Sequence, residues 1–254
     1  MRYLLTNDDG FYARGLSALY EELSRDADCL VVAPEVEQSA VGHAITISRP
    51  LMVRRTEKNG RFRGYAVAGT PADCVKLGIR ELTDRPVDLV VSGINRGANV
   101  GINVLYSGTV SAATEGAILG VPSLAISLDS HHEADFSVAA RVARKIATFM
   151  VEQGPFANTV LNVNVPALPE VEIKGIVVTR QGQNMPLEIF DKRTDPRENT
   201  YYWLTGEVPG PEREAQDSDA GALQRGMITI TPLHYDLTSH DALAALRTKV
   251  AMFF

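Results

Sequence analysis

Up to about residue 178, short aliphatic runs alternate with longer stretches whose apolar residues recur at helical spacing. Tyr3-Leu4-Leu5 reads as a strand, Gly15 to Leu23 as a helix with Leu16, Leu19, Tyr20 and Leu23 on one face, and Cys29 to Val32 as a second strand. This opens a βαβ unit. Val87 to Val91 is apolar enough to be buried on both faces, as central parallel strands are. Gly108 to Leu119 then reads as helix, Leu124 to Leu128 as strand, Phe136 to Glu152 as a long helix, and Val160 to Val165 as strand. The alternation predicts an α/β fold: a doubly wound, mostly parallel, Rossmann-like sheet with helices on both faces.

Two departures interrupt the pattern. A β-hairpin excursion near 44–67 holds a short strand, Ala44 to Ile47, and a hairpin turn at Asn59-Gly60. It leads into Thr70-Pro71-Ala72-Asp73, where Thr70 can cap a helix running to about Leu82, Pro71 suits its first position and Asp73 closes a capping box. After a strand at Ile173 to Val178 the periodicity changes. Turn residues and charges fill Arg180 to Glu198, followed by Tyr201, Tyr202 and Trp203, a strand at Met227 to Ile230 and a terminal helix from about Asp241. We therefore expect a catalytic core over 1–178. Residues 179–254 are expected to form a C-terminal extension of hairpin, strand and helix that serves dimer or tetramer assembly.

Composition narrows the function. The chain has 254 residues, 45% hydrophobic and 22% charged, with a net charge of −6, values ordinary for a globular domain. No run of basic residues offers an electrostatic footprint for duplex nucleic acid. The longest uncharged stretch, Gly97 to Thr114, is too rich in Gly, Asn, Ser and Thr to span a membrane. The start of the chain leaves no room for a signal-peptide apolar region before Asn7-Asp8-Asp9. Cys29 and Cys74 lie in apolar periodic segments and match no zinc spacing. They read as reduced core residues, and the expected location is the cytoplasm.

In an open parallel sheet, ligands gather beyond the carboxyl ends of the strands. That rule selects Asn7-Asp8-Asp9-Gly10, the loop from Ala33-Pro34 to Gln38-Ser39, and Ser92-Gly93-Ile94-Asn95-Arg96-Gly97. Adjacent carboxylates repel, and a cation lets both stay ionised. With Ser39 and the amide oxygen of Asn95, Asp8 and Asp9 would make an all-oxygen set suited to Mg, Mn or Ca. The plain alternative is a turn whose Asp caps the next helix.

A second feature is the glycine loop Gly93 to Gly101, leading through Tyr106 to Ser107-Gly108-Thr109 at a helix start. Backbone N–H groups there could cradle a phosphate, with Asn95 and Gly97 beside them. The alternative is an ordinary Ser or Thr cap. Neither GxGxxG nor GxxxxGK[ST] occurs, so a nicotinamide dehydrogenase or P-loop NTPase is unsupported. His43 is a candidate pocket residue, whereas His131-His132 and His240 read as loop or cap residues and His234 as structural. A hard cation beside a phosphate cradle points to metal-assisted phosphoester hydrolysis. The competing classes are a noncatalytic nucleotide-binding protein and a Mg-binding receiver module. The receiver lacks its acceptor, because residues 44–65 contain no Asp.

These motifs carry a resemblance. Leu5-Thr6-Asn7-Asp8-Asp9-Gly10, Gln38-Ser39-Ala40, Gly69-Thr70-Pro71-Ala72-Asp73-Cys74-Val75, Ser92 to Asn99, and Tyr106 to Ala113 together resemble the stationary-phase survival protein SurE family of metal-dependent 5'-nucleotidases. The resemblance implies one divalent cation per subunit, held by Asp8, Asp9, Ser39 and Asn95. It implies activity on nucleoside 5'-monophosphates, with 3'-monophosphates and short polyphosphate as further substrates. It also implies a cytoplasmic homodimer or dimer of dimers that exchanges C-terminal segments. No motif in the second half of the chain carries the likeness.

Overall fold

The computed structural model describes residues 1–58, 60, 62–130, 135–154, 158–183, 187–208 and 215–250. The strands are β1 (Arg2–Thr6), β2 (Asp28–Pro34), β3 (Val53–Lys58), β4 (Phe62–Val67), β5 (Leu89–Arg96), β6 (Ser123–Asp129), β7 (Thr159–Pro166), β8 (Ile176–Val178), β9 (Leu187–Thr194), β10 (Thr200–Val208) and β11 (Ile228–His234). The α-helices are α1 (Arg14–Leu23), α2 (Pro71–Leu77), α3 (Gly108–Ile118), α4 (Ser137–Gln153), α5 (Asp219–Gln224) and α6 (His240–Val250). One nine-stranded sheet runs in the order β3-β4-β2-β1-β5-β6-β7-β11-β8, and β9 and β10 pair separately. The centre of the large sheet is parallel, and β3 and β11 run antiparallel to their neighbours β4 and β7.

Strand alternation explains the layering, since successive side chains leave opposite faces of a strand. Leu5, Val31, Val91 and Leu124 join Leu16, Leu19 and Leu23 of α1 and Ala143, Ile146 and Met150 of α4 in one core. Leu4, Leu30, Val32 and Val90 pack on the other side against Cys74 and Val75 of α2 and Ala112 of α3. Helix α3 lies very close to the sheet because it is built of small residues. A Cβ added at Gly116 would sit 2.4 Å from Ser123 Oγ and 2.8 Å from Val90 Cγ2. Close seating of α3 fixes where its N-terminus points.

The capping box forms as expected: Asp73 N–H donates to Thr70 Oγ1 at 3.1 Å and Thr70 N–H to Asp73 Oδ2 at 2.9 Å. A π-helical turn, Gly78–Leu82, continues α2 to the expected end. Both cysteines are free, Cys74 buried and Cys29 partly so. Burial, reinforced by Asp28, pushes the Cys29 thiol up to about 12, and burial raises Cys74 as well. Neither is a poised nucleophile.

Three local expectations need correction. Ala44 to Ile47 is not a strand, because its backbone groups are taken by the α2 cap: Thr46 N–H donates to Asp73 Oδ1 and Thr70 Oγ1 donates to Ala44 O. Strand β5 does not stop at Val91 but continues through the expected loop to Arg96. The division at residue 178 also fails to coincide with the sheet. From beyond it, β11 inserts between β7 and β8, with Thr229 opposite Asn164 and opposite Val177. Local periodicity gives a strand but not its neighbours. Of the hairpin turn, Asn59 lies outside the described residues, while Gly60 adopts φ +71°.

Candidate active site

The parallel register puts Thr6 of β1 opposite Ser92 of β5, so Asn7-Asp8-Asp9 emerges beside Gly93 to Arg96 at one edge of the sheet. Asn7 is fully buried and makes the turn by itself. Its Oδ1 accepts from Gly10 N–H at 3.2 Å and its Nδ2 donates to Gly10 O at 3.1 Å. Gly10 has φ +97°, the left-handed region that glycine tolerates. The following helix begins after Ala13 with no side-chain cap, so neither Asp8 nor Asp9 caps it. Both carboxylates are left for another task.

Asp8 is buried and lies against the start of α3. Thr109 Oγ1 donates to Asp8 Oδ1 at 2.5 Å. A Cβ added at Gly108 would stand 2.7 Å from Asp8 Cβ and 2.9 Å from Oδ2. Burial pushes the Asp8 carboxyl upward, opposed by hydrogen bonds from the Thr109 side chain and backbone. Asp9 is half-buried and raised to about 6, first by burial and then by the charges of Asp8 and Glu37, against the Arg96 charge and backbone. Such a concentration of poorly compensated negative charge suits a hard cation.

The other expected donors are placed unequally. Asn95 follows a β-bulge, where the β5–β6 register shifts between Ser92 and Asn95. At Gly93, with φ +141°, a Cβ would meet Ile126 O at 2.4 Å. Bulges re-aim side chains, and here Asn95 Nδ2 donates to Gly97 O at 2.8 Å, leaving its Oδ1 as the atom suited to a cation. The Ser39 loop is tied to the site through Gln38 N–H donating to Asp8 O at 2.8 Å. Ser39 itself is exposed, and its Oγ donates to Glu37 Oε1 at 2.5 Å. Sequence reasoning missed Glu37, whose only signal was an acid two residues before Ser39 in the loop after β2. Among the described residues no group of three or more His, Cys, Asp or Glu could hold a metal. A coordination shell here would combine the two carboxylates with neutral oxygens, the preference of Mg, Mn and Ca.

The candidate phosphate cradle is partly engaged already. Ser107 accepts from Val110 N–H at 3.1 Å, so its hydroxyl is the ordinary cap of α3. The Thr109 hydroxyl belongs to Asp8. What remains for an anion is the backbone around Gly108 at the positive end of α3, together with the Gly97 loop. Gly97 N–H is itself anchored on Leu128 O at 2.8 Å. Beyond it, Asn99 sits in a buried polar cluster that sequence reasoning also missed. Its N–H donates to Asn164 Oδ1 and its Nδ2 to Ser127 Oγ, both at 2.8 Å, while Asn162 and Asn164 donate to its carbonyl.

His43 braces the Ser39 loop on α3. Its Nε2 lies 2.9 Å from Glu115 Oε2, and Lys76 Nζ reaches Glu115 Oε1 at 3.0 Å. Burial works to raise Glu115, but the hydrogen bonds from His43 and Lys76 outweigh it and hold the carboxyl low. His234 and His240 bind locally around Asp236, and His131-His132 lies outside the described residues.

Known proteins resemble this chain over nearly its whole length. The sequence profile of the family described as "Survival protein SurE" matches residues 3–188. The 5'-nucleotidase SurE of Syntrophus aciditrophicus is 67% identical over 251 residues, 99% of this chain and 94% of that protein. That of Syntrophobacter fumaroxidans is 50% identical over 246 residues, 97% of this chain and 98% of that one. The crystal structure of the SurE protein from Aquifex aeolicus superposes with a TM-score of 0.85 at 40% identity, covering 98% of this chain and 99% of that one. The chain therefore belongs to the SurE survival protein family.

Proposed function

We propose that this protein is a metal-dependent 5'-nucleotidase, hydrolysing nucleoside 5'-monophosphates to nucleoside and phosphate. The observation that carries the reading is the Asp8–Asp9 pair, with Asp8 set against the N-terminus of α3, in a chain whose relatives bear that enzyme's name. One divalent cation (Mg, Mn or Ca) would be held by Asp8, Asp9 and the Asn95 amide oxygen, with Ser39 joining once its hydroxyl leaves Glu37. When bound, it supplies neutralisation of phosphate charge and polarisation of the phosphoryl oxygen. The chain's own contribution is orientation: the backbone at the α3 N-terminus presents donors to the phosphate oxygens, and the anchored Gly97 loop shapes the wall beside them. Both carboxylates are assigned to the cation, and Asp8 is held in addition by the Thr109 hydroxyl, which leaves neither for attack on phosphorus. The reading therefore favours attack by water.

Protein stripped with EDTA should lose nearly all hydrolysis of AMP and p-nitrophenyl phosphate, and Mn or Mg should restore it. Equal rates with and without EDTA would refute the metal-dependent reading. Assays with 3'-AMP and tripolyphosphate decide whether those substrates belong to the same site.

The assembly we propose is a homodimer or dimer of dimers built by the C-terminal extension, residues 179–254. The β9–β10 hairpin forms an arm paired apart from the large sheet, with Phe190, Tyr202, Trp203 and Leu204 all more than half exposed. Apolar surface of this kind is characteristic of an interface, and exchange of C-terminal segments would cover it. In Phe190→Glu combined with Trp203→Glu, light scattering should show a smaller species than the wild type. No change in mass would remove the arm from the interface. Among the described residues no helix is long and apolar enough to cross a membrane, and the free thiols support the cytoplasm as the location.

A further inference from the structure

Gly101 opens the 3₁₀ turn Gly101–Leu105, which carries the chain from the Gly97 loop to Ser107 and α3. Both of its backbone groups have partners outside the loop. Gly101 N–H donates to Asp219 Oδ2 at 3.0 Å, and Gly101 O accepts from Gln181 Nε2 at 2.8 Å. Asp219 is fully buried, and its other oxygen accepts from Gly182 N–H and Ala220 N–H, each at 2.8 Å. These residues sit where the two stems of the arm meet: Arg180 N–H donates to Asp217 O and Asp219 N–H to Arg180 O.

We infer that Asp219 and Gln181 are positioning residues for the anion-binding loop, an inference that rests on the phosphatase reading above. They hold the loop's backbone at Gly101, while Asn162 and Asn164 hold it at Asn99. Gly97 and Gly101 have φ of +109° and +56°, and a loop with glycine at both points takes its shape from such external anchors. The Asp219 requirement is specific to a carboxylate. All three of its partners are N–H donors, so an Asn in its place would have one accepting oxygen and turn its NH₂ toward an N–H. Because these groups lie on the arm's stems, they also join the assembly element to the loop that receives phosphate.

The test uses the full-length protein with Asp219→Asn and Gln181→Ala made separately. Inorganic phosphate affinity is measured by calorimetry on Mn-loaded protein, alongside Mn affinity without phosphate, KM and kcat for AMP, and the melting temperature. Both variants should bind Mn within about twofold of wild type while phosphate affinity weakens about tenfold and KM for AMP rises, a loss typical of an outer-shell positioning group. Unchanged phosphate affinity in folded variants would overturn the positioning role. Should Asp219→Asn fail to fold, Gln181→Ala decides alone, since it removes one partly buried amide. Wild-type protein that binds phosphate without turning over AMP overturns the phosphatase reading but not this inference, and wild type that does neither overturns both.

Discussion

Asp9→Asn is expected to abolish turnover and yet make the metal-free protein more stable at pH 7. The folded chain holds the Asp9 carboxyl at about 6 against 3.8 for the free group. Between those values the folded state binds more protons than the unfolded state, so stability falls as pH rises through the window. At pH 7 the penalty is present in full, on the order of 1–2 kcal/mol after discounting for the partial exposure of Asp9. An amide removes the ionisation and with it the repulsion from Asp8 and Glu37. In EDTA the variant should therefore melt above wild type at pH 7, and the gap should close as pH is lowered toward 4. Saturating Mn should reverse the order, because only the wild type gains the linkage free energy of tight binding. Loss of a cation-holding carboxylate should lower kcat/KM by a factor on the order of 10³, equivalent to several kcal/mol of transition-state stabilisation. A variant less stable than wild type in EDTA at pH 7 would contradict the charge argument even if activity were lost.

Gly108→Ala is the second large effect, and it contrasts with helix propensity. In an open helix, alanine is favoured over glycine by roughly 1 kcal/mol. At this position the new methyl would overlap Asp8 Cβ at 2.7 Å and Oδ2 at 2.9 Å. Retreat of α3 would open its close packing at Gly116 on Ser123 and Val90. Asp8 moves instead, which breaks its bond with Thr109. Overpacking of this kind costs roughly 1–3 kcal/mol, and displacing the carboxylate should weaken Mn binding by at least the 10–100-fold typical of an outer-shell change. Calorimetric Mn titration and thermal melting measure the two parts separately. Wild-type Mn affinity in this variant would mean that Asp8 is not held by α3 as described.

Both results depend on a site that was only partly legible beforehand. Asp8 and Asp9 were legible because their position is set locally, by a short apolar strand followed at once by Asn-Asp-Asp-Gly. The roles of Ser107 and Thr109 were not. A hydroxyl at a helix start can cap, bind a ligand or bind a neighbour, and which it does depends on what the fold brings within about 3 Å. Here Asp8 arrives from a hundred residues away and takes Thr109. Ser39 shows the same limit, since its hydroxyl is turned to Glu37 by the shape of its loop.

The fold divides along the same line. The amino-acid sequence determined the βαβ opening, the capping box of α2, the central parallel strands and the acidic pair at a strand end. Each of these follows from periodicity, backbone preference or hydrogen bonding within a few residues. Tertiary structure alone decided that β11 enters the sheet beside β7, that β5 continues through a bulge to Asn95, and that Asp219 reaches Gly101. Those pairings join groups distant along the chain, and their free energy comes from desolvated partners that exist only once the sheet has assembled.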